Sequence, residues 1–223
     1  MKRVVTPELL DEHDAPRADM ERSLCDLRRF NRWAGGTATY LRLLRRFAPN
    51  AGIVVDLGAG TADLLDAIPN AALTIAVDMN LKHLLYERDR SRALRVVADA
   101  HLLPFRDESV DVVTSSHFFH HFEPDENAAI LRGALRIARI GAIASDTRRH
   151  RLPFLFTWLL GVLRLVGRIT AYDAPASVAR GYTAAEARAV GEKTGAERVD
   201  VVTMMPFRFG LLLYKAVSAD VAD

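Results

Sequence analysis

The chain is short of the features that announce a function class. Only one of its 223 residues is a cysteine, Cys25, so no intrachain disulfide framework can form and a reducing compartment is expected. Cys25 sits in a helical-looking stretch without a nucleophile signature and reads as a small packed side chain. Net charge is nearly absent: 30 Lys and Arg against 28 Asp and Glu leave +2, which singles out no class of partner. Arginines do cluster, at Arg28, Arg29 and Arg32, at Arg45 and Arg46, and at Arg148, Arg149 and Arg151. Such clusters read as solvated faces, with an anionic ligand or membrane as the alternative. The stretch that calls for a membrane check, Pro153 to Leu163, holds eleven uncharged residues, whereas a spanning helix needs about 20. A buried or interfacial helix remains open there. No apolar run follows Lys2 and Arg3, so a secretory leader is not expected and the chain reads as cytoplasmic. Internal repeats and low-complexity tracts are also missing. A Tyr-x-x-x-Lys pair is absent, since Tyr40, Tyr86, Tyr172, Tyr182 and Tyr214 all lack a Lys four residues on. That counts against a short-chain NAD-dependent oxidoreductase.

What is present is ordinary globular composition, half hydrophobic and 26% charged, and enough length for one α/β domain with a small appendage. Thr6 to Phe47 is helical in pattern, interrupted at Gly35-Gly36, with candidate starts near Pro7 and Pro16. Residues 1–48 are therefore expected to form a helical arm or cap, and 49–223 the main domain. Strands are expected at Ile53–Leu57, Leu73–Val77, Leu94–Ala98 and Val110–Ser115, with a weak fifth at Ala142–Asp146. Helices are expected at about Ala62–Ile68, Leu81–Arg88 and Glu126–Ala138. Alternation of this kind implies βαβ units and a parallel sheet covered on both faces. Thr183 with Glu186 forms a capping-box pattern opening a helix to Lys193. Arg198–Thr203 and Phe207–Ala216 read as a closing hairpin. The expected fold is an α/β, Rossmann-like seven-stranded, mostly parallel sheet with helices on both faces and an antiparallel C-terminal edge.

The chemistry concentrates at strand ends. Val54-Val55-Asp56-Leu57-Gly58-Ala59-Gly60 is a buried strand that ends in a carboxylate and turns on two glycines into a helix. Glycine is needed where the backbone takes special dihedrals or lies against a ligand. The third glycine of a dinucleotide fingerprint is missing, with Ala62 and Asp63 in its place. The second strand ends in Asp78, 22 residues after Asp56, where an acid can accept from both hydroxyls of a ribose. The third ends in Asp99. One such acid alone is an ordinary capping residue; three in series along the ligand-binding edge of an open sheet point to a nucleoside.

Asp56-Leu57-Gly58-Ala59-Gly60, Val77-Asp78, Asp99-Ala100-His101-Leu102-Leu103-Pro104-Phe105 and Ser109-Val110-Asp111-Val112-Val113 resemble the motif series of class I S-adenosylmethionine-dependent methyltransferases. The branch most similar holds the ubiquinone and menaquinone biosynthesis enzymes, and the likeness runs from Ile53 to about Asp146. It implies S-adenosylmethionine as cofactor, with Gly58 and Gly60 against its methionine part, Asp78 at the ribose, Asp99 at the adenine amino group and Ala100 beside the ring. Asp56, Met79 and Ser115 join the same expected set. Arg32, in an arm that folds over the cofactor in similar enzymes, is a candidate for its carboxylate or a surface arginine. Phe30 and Trp33 read as core.

Ser115-Ser116-His117-Phe118-Phe119-His120-His121-Phe122 follows the fourth strand, where the resemblance implies a loop between cofactor and acceptor. His117, His120 and His121 are candidate general bases or simply pack the loop. His117 and His121 could ligate a metal if helical, but no third ligand is evident and none is expected. The insertion at about 147–180 is the expected lid. Its apolar run, with Phe154, Phe156 and Trp158, suggests a small hydrophobic acceptor such as a phenol, quinol or polyketide, or else a buried helix or homodimer interface. Peripheral membrane contact through residues 153–168 is a further expectation. The base-methylating Asn-Pro-Pro-Tyr motif is absent after the fourth strand, so nucleic acid is not expected as substrate. A non-catalytic cofactor- or lipid-binding protein of the same fold is the alternative reading.

Overall fold

The computed structural model describes residues 1–11, 15–69 and 73–216. Two helices come first, α1 (Arg17–Trp33) and α2 (Gly36–Phe47), followed by β1 (Ile53–Leu57), α3 (Asp63–Asp66), β2 (Leu73–Asp78), α4 (Leu81–Leu85) and β3 (Leu94–Val97). Then come β4 (Val110–Ser116), α5 (Pro124–Ile137) and β5 (Ala138–Thr147). The chain ends with α6 (Arg151–Val162), α7 (Arg168–Arg180), α8 (Ala184–Glu192), β6 (Arg198–Met204) and β7 (Arg208–Tyr214). One seven-stranded sheet forms, in the order β3-β2-β1-β4-β5-β7-β6. The first five strands run parallel, and β7 lies antiparallel between β5 and β6. The closing hairpin thus supplies the expected antiparallel edge, with β6 outermost.

Alternate residues of each strand feed two apolar layers, as expected of strands buried on both faces. Val54, Val112, Ile143 and Leu212 pack under α2, against Tyr40, Leu43, Leu44 and Phe47. Val55, Val113, Ala142 and Leu211 pack under α5 and α8, against Leu131, Ala134 and Val190. Asp111 fixes where β1 begins, its Oδ2 accepting from the backbone N–H of Gly52 and Ile53.

Several elements differ from the sequence reading. The helix expected at Ala62–Ile68 is a single turn, because Ala62 enters it in a left-handed conformation (φ 61°) and Pro69 closes it off. The one expected at Leu81–Arg88 stops at Leu85, with Glu87 again left-handed (φ 52°). The weak fifth strand is instead ten residues long. Pairing on both sides, to β4 and β7, extends it beyond what its Ala and Ser content favours. The N-terminal helical pattern begins at Arg17, and its stretch over residues 12–14 lies outside the described residues. Residues 1–11 are not helical and lie along α7 and the loop after β4. Arg3 pins them, donating to both Glu123 carboxylate oxygens at 2.7 Å, to Phe122 O and to Arg180 O. The capping box of α8 forms as expected, Thr183 with Glu186. α1 docks on α7 through Ser23 and Thr170 and through Asp26, which accepts from Gly167 N–H at 2.6 Å.

Candidate active site

The C-terminal ends of β1, β2, β4 and β5 open into a cavity of about 950 Å³, roofed by α1, α6, α7 and the residues before them. Of the residues expected at a site, Asp56, Gly58, Gly60, Asp78, Met79, Asp99, Ala100, His117, His120 and His121 all line it. Two expected residues do not. Ser116, rather than Ser115, faces the cavity, because successive strand residues alternate sides. Arg32 is exposed, its guanidinium 5.2 Å from the Trp33 ring centre, and lies outside the lining. Phe30 and Trp33, read as core, line the cavity instead, with Trp33 79% exposed.

One end is built by the turn after β1. Gly58 is left-handed (φ 65°), and a Cβ there would meet the Phe118 ring at 2.2 Å. Gly60 is also left-handed (φ 51°), but a Cβ on it would meet nothing within 4 Å, so this side of the turn is open to a ligand. Its N–H donates to Asp78 Oδ2 at 2.9 Å, while Asn80 N–H donates to Oδ1 at 2.8 Å. The turn and the second strand-end acid are thereby one unit. Asp99 accepts from the His101 backbone and ring through Oδ1 alone, which lowers its pKa. Asp56 is buried, and burial pushes its carboxyl up to about 7, against a hydrogen bond from Thr114 and with Asp63 and Asp78 adding to the rise.

The other end is a buried charge network that only the fold assembles. β4 ends at Ser116 and His117 turns the chain in a left-handed conformation (φ 55°), sending a 3₁₀ turn, Phe119–His121, across the sheet edge. His120 is 2% exposed. Its Nδ1 meets Asp146 Oδ2 at 2.7 Å, and its Nε2 faces Glu8 Oε1 at 3.2 Å. Burial opposes charge on this imidazole, but the two carboxylates outweigh burial and hold its pKa up at about 10. Glu8 and Asp146 are correspondingly held down at about 2 despite their burial. His117 is the opposite case. Burial, and Arg208 against its Nε2, press it down to about 3, so it is neutral. With Asp146 Oδ1 3.8 Å from its Nδ1, both ring nitrogens have polar neighbours. His121 sits at the rim, its Nδ1 3.0 Å from Asp11 and its Nε2 3.9 Å from Glu8. Asp173, raised to about 6 by burial, accepts from the N–H groups of Leu9 and Leu10 and so seats Glu8.

Sequence reasoning missed Glu8, Asp146, Asp173 and Arg208. Asp146 alone carried a legible signal, being a further strand-ending acid; the rest approach the histidines only through tertiary structure. The walls between the two ends are apolar, from Leu152, Pro153 and Phe156 of α6, Val178 of α7, and Pro206 and Phe207 before β7.

Residues 55–145 match the family described as a methyltransferase domain. Demethylmenaquinone methyltransferase of Roseiflexus sp. (strain RS-1) is 34% identical over 116 residues, 48% of each chain, and that of Roseiflexus castenholzii is 32% identical over 115 residues with the same coverage. The chain spans about half the length of the curated relatives it matches. In fold it is similar to a SAM-dependent methyltransferase from Aquifex aeolicus, with a TM-score of 0.62 at 17% identity over 85% of this chain and 97% of that one. It is also similar to the plantazolicin methyltransferase BpumL in complex with SAH, with a TM-score of 0.62 at 10% identity over 88% and 96%.

Proposed function

We propose that this chain, whose residues 55–145 match the methyltransferase-domain family, is a class I S-adenosylmethionine-dependent methyltransferase that moves a methyl group from that cofactor to a small hydrophobic acceptor. The favoured atom is the oxygen of a phenol-, quinol- or polyketide-type molecule, with carbon second. The observation that carries this reading is one cavity with two chemically distinct ends. The glycine turn, Asp56, Asp78 and Asp99 stand at one end, and histidines with apolar walls at the other. The open face at Gly60 fits a nucleoside cofactor, with Asp78 placed for ribose hydroxyls and Asp99 with Ala100 for the base. When bound, the cofactor supplies an electrophilic methyl on a sulfonium. The chain's own part is alignment, exclusion of water and disposal of the acceptor's proton. Alignment contributes most, since holding two reactants in line removes several kcal/mol (~7 or more) of barrier. Phe156, Leu152 and Phe207 hold an apolar ring and keep water out. The rim imidazole of His121, backed by Glu8 and Asp11, is the group placed to take a phenolic proton. His117, neutral, accepts from Arg208 at Nε2 and so positions that guanidinium.

The test is calorimetric titration with S-adenosylmethionine and S-adenosylhomocysteine, NAD serving as control, followed by mass detection of methylated product over a panel of phenols and quinols. Micromolar binding of the first two with product formation is expected. Binding without turnover on any acceptor would favour a non-catalytic protein of this fold, and failure to bind either would overturn the reading.

The same reading extends to how the acceptor arrives. α6 is apolar almost all round, yet Leu155, Phe156, Trp158, Leu159, Val162 and Leu163 are each 43% exposed or more. No helix among the described residues is long and apolar enough to cross a membrane. Arg151, Arg164 and Arg168 are exposed around the segment, whereas the Arg149 side chain is buried and paired with Glu186, and no acid occurs between Asp146 and Asp173. Charge of one sign around an apolar helix suits a surface of anionic lipid rather than a second copy of the chain. Phe156 both lines the cavity and lies in this patch, so a lipophilic acceptor would enter from that side. Co-sedimentation with phosphatidylglycerol vesicles but not phosphatidylcholine is expected; dimers by light scattering without vesicle binding would replace this with a homodimer interface.

A further inference from the structure

Of the two histidines the sequence offered for a metal, His117 is turned toward Arg208. The fold forms a different trio. Ligand atoms of Glu8, His120 and His121 all lie within 4.8 Å of one another, at the wall of the cavity. Two imidazoles and one carboxylate are a donor set for first-row divalent ions.

Three further observations point the same way. First, His120 Nε2 is buried with no hydrogen-bond partner, although Glu8 Oε1 is only 3.2 Å away, because the two are not aligned for one. An orphaned nitrogen in a polar site is what a missing ligand leaves behind. Second, each imidazole has a carboxylate on its far nitrogen, Asp146 at 2.7 Å from His120 Nδ1 and Asp11 at 3.0 Å from His121 Nδ1. A carboxylate on each Nδ1 orients the ring so that Nε2 becomes the ligating atom once a metal ion displaces the proton His120 carries there. Third, the oxygens of Glu8 are divided. Oε1 accepts from the Ser177 hydroxyl at 2.8 Å and faces Arg180 at 3.9 Å, while Oε2 looks toward His121 at 3.9 Å. Four carboxylates, of Glu8, Asp11, Asp146 and Asp173, face this corner against the two guanidiniums of Arg180 and Arg208.

We propose that Glu8, His120 and His121 form a binding site for a divalent transition-metal ion of the zinc class. Three protein ligands leave positions toward the cavity for water or an acceptor oxygen. The role there rests on the methyl-transfer reading: with His121 ligated, a bound ion would take over from its imidazole in favouring the ionised form of a phenolic acceptor. The binding itself stands apart from that reading and is tested without cofactor or acceptor.

The full chain, freed of metal with chelator and dialysed, is titrated with zinc chloride by calorimetry, and its zinc content after re-dialysis is measured by mass spectrometry. One ion per chain is expected, retained through dialysis, with a raised melting temperature. Glu8→Gln and His121→Asn should each weaken binding at least tenfold, and Asp11→Ala about tenfold through the orientation of His121. His150→Asn, at the start of α6 and away from the cluster, should bind as the parent does. His121 is at the rim, so its variant tests the site even if Glu8→Gln fails to fold, as circular dichroism would show. Absence of stoichiometric binding, or equal binding by the parent and His121→Asn, would overturn the proposal. The cluster would then be a charge-paired clamp holding residues 1–11, and the cofactor titration would still stand by itself.

Discussion

The two ends of the cavity are made by different routes. The end proposed for the cofactor draws on Asp56, Gly58, Gly60, Asp78, Asp99 and Ala100, all within one continuous stretch of βαβ units. The end proposed for the acceptor gathers Glu8, His117, His120, His121, Asp146, Asp173 and Arg208 from across the chain, from before α1 to β7. The first is held by backbone hydrogen bonds to carboxylates, such as Gly60 N–H to Asp78. The second is held by buried charge, an imidazole between two carboxylates. A local turn depends on few contacts and tolerates a change elsewhere. A charge network depends on every member being present.

Asp146→Ala should cost the most, on the order of 3–5 kcal/mol of folding stability by chemical denaturation, because it leaves His120 buried without its closer counter-charge. An effect under about 1 kcal/mol would mean that the network is not structural. Asp78→Ala should instead leave the fold standing and weaken cofactor binding by about 2 kcal/mol, roughly thirtyfold, in a calorimetric titration. Equal losses of stability in the two variants would erase the distinction between the ends.

The ends also separate by pH. His120 has its pKa raised to about 10, so the stability it contributes is complete below pH 6.5 and is lost as pH rises through about 10. Asp56 is raised to about 7, so its ionisation costs stability between pH 3.8, its usual value, and about 7. Thermal unfolding across pH should therefore show a lower decline that Asp56 and Asp173 drive and His117, held down to about 3, opposes, and an upper one driven by His120. Asp56→Asn should flatten the lower and His120→Gln the upper; a profile unchanged by either variant would contradict the assignment. The smallest effect is expected at Arg32. Arg32→Ala should leave cofactor affinity within about twofold, since the guanidinium lies over Trp33 outside the cavity lining.

The same contrast explains what could be read from the sequence. A parallel strand buried on both faces writes itself as a run such as Ile53–Leu57, and a ligand at its end writes an acid and glycines directly after it. Hence β1 was legible to the residue, and the strand-end residues expected with it, apart from Ser115, line one cavity. Ser115 against Ser116 is a one-residue question of which way a strand side chain faces, and an exact strand end settles it. Trp33 misled because bulk and apolarity say nothing about whether a helix face meets protein or an opening. Glu8 could not be found at all. Its partners His120 and Asp146 lie more than a hundred residues away, and nothing in Pro7-Glu8-Leu9-Leu10 distinguishes it from a surface acid. The long β5 was under-read for the same reason, since its extension comes from pairing with β4 and β7.

Because Glu8 precedes α1 and Arg208 opens β7, the two ends of the cavity complete at different times during synthesis. The glycine turn, β1, β2 and β3 are all present once residue 105 has emerged. Residues 1–11 must wait for β5 and α7 before Asp146 and Asp173 give them anywhere to bind. A nascent chain stalled before β5 would hold most of the parts for a nucleoside pocket and an undocked segment 1–11. The acceptor chamber closes last, with its first residues joining strands made near the end.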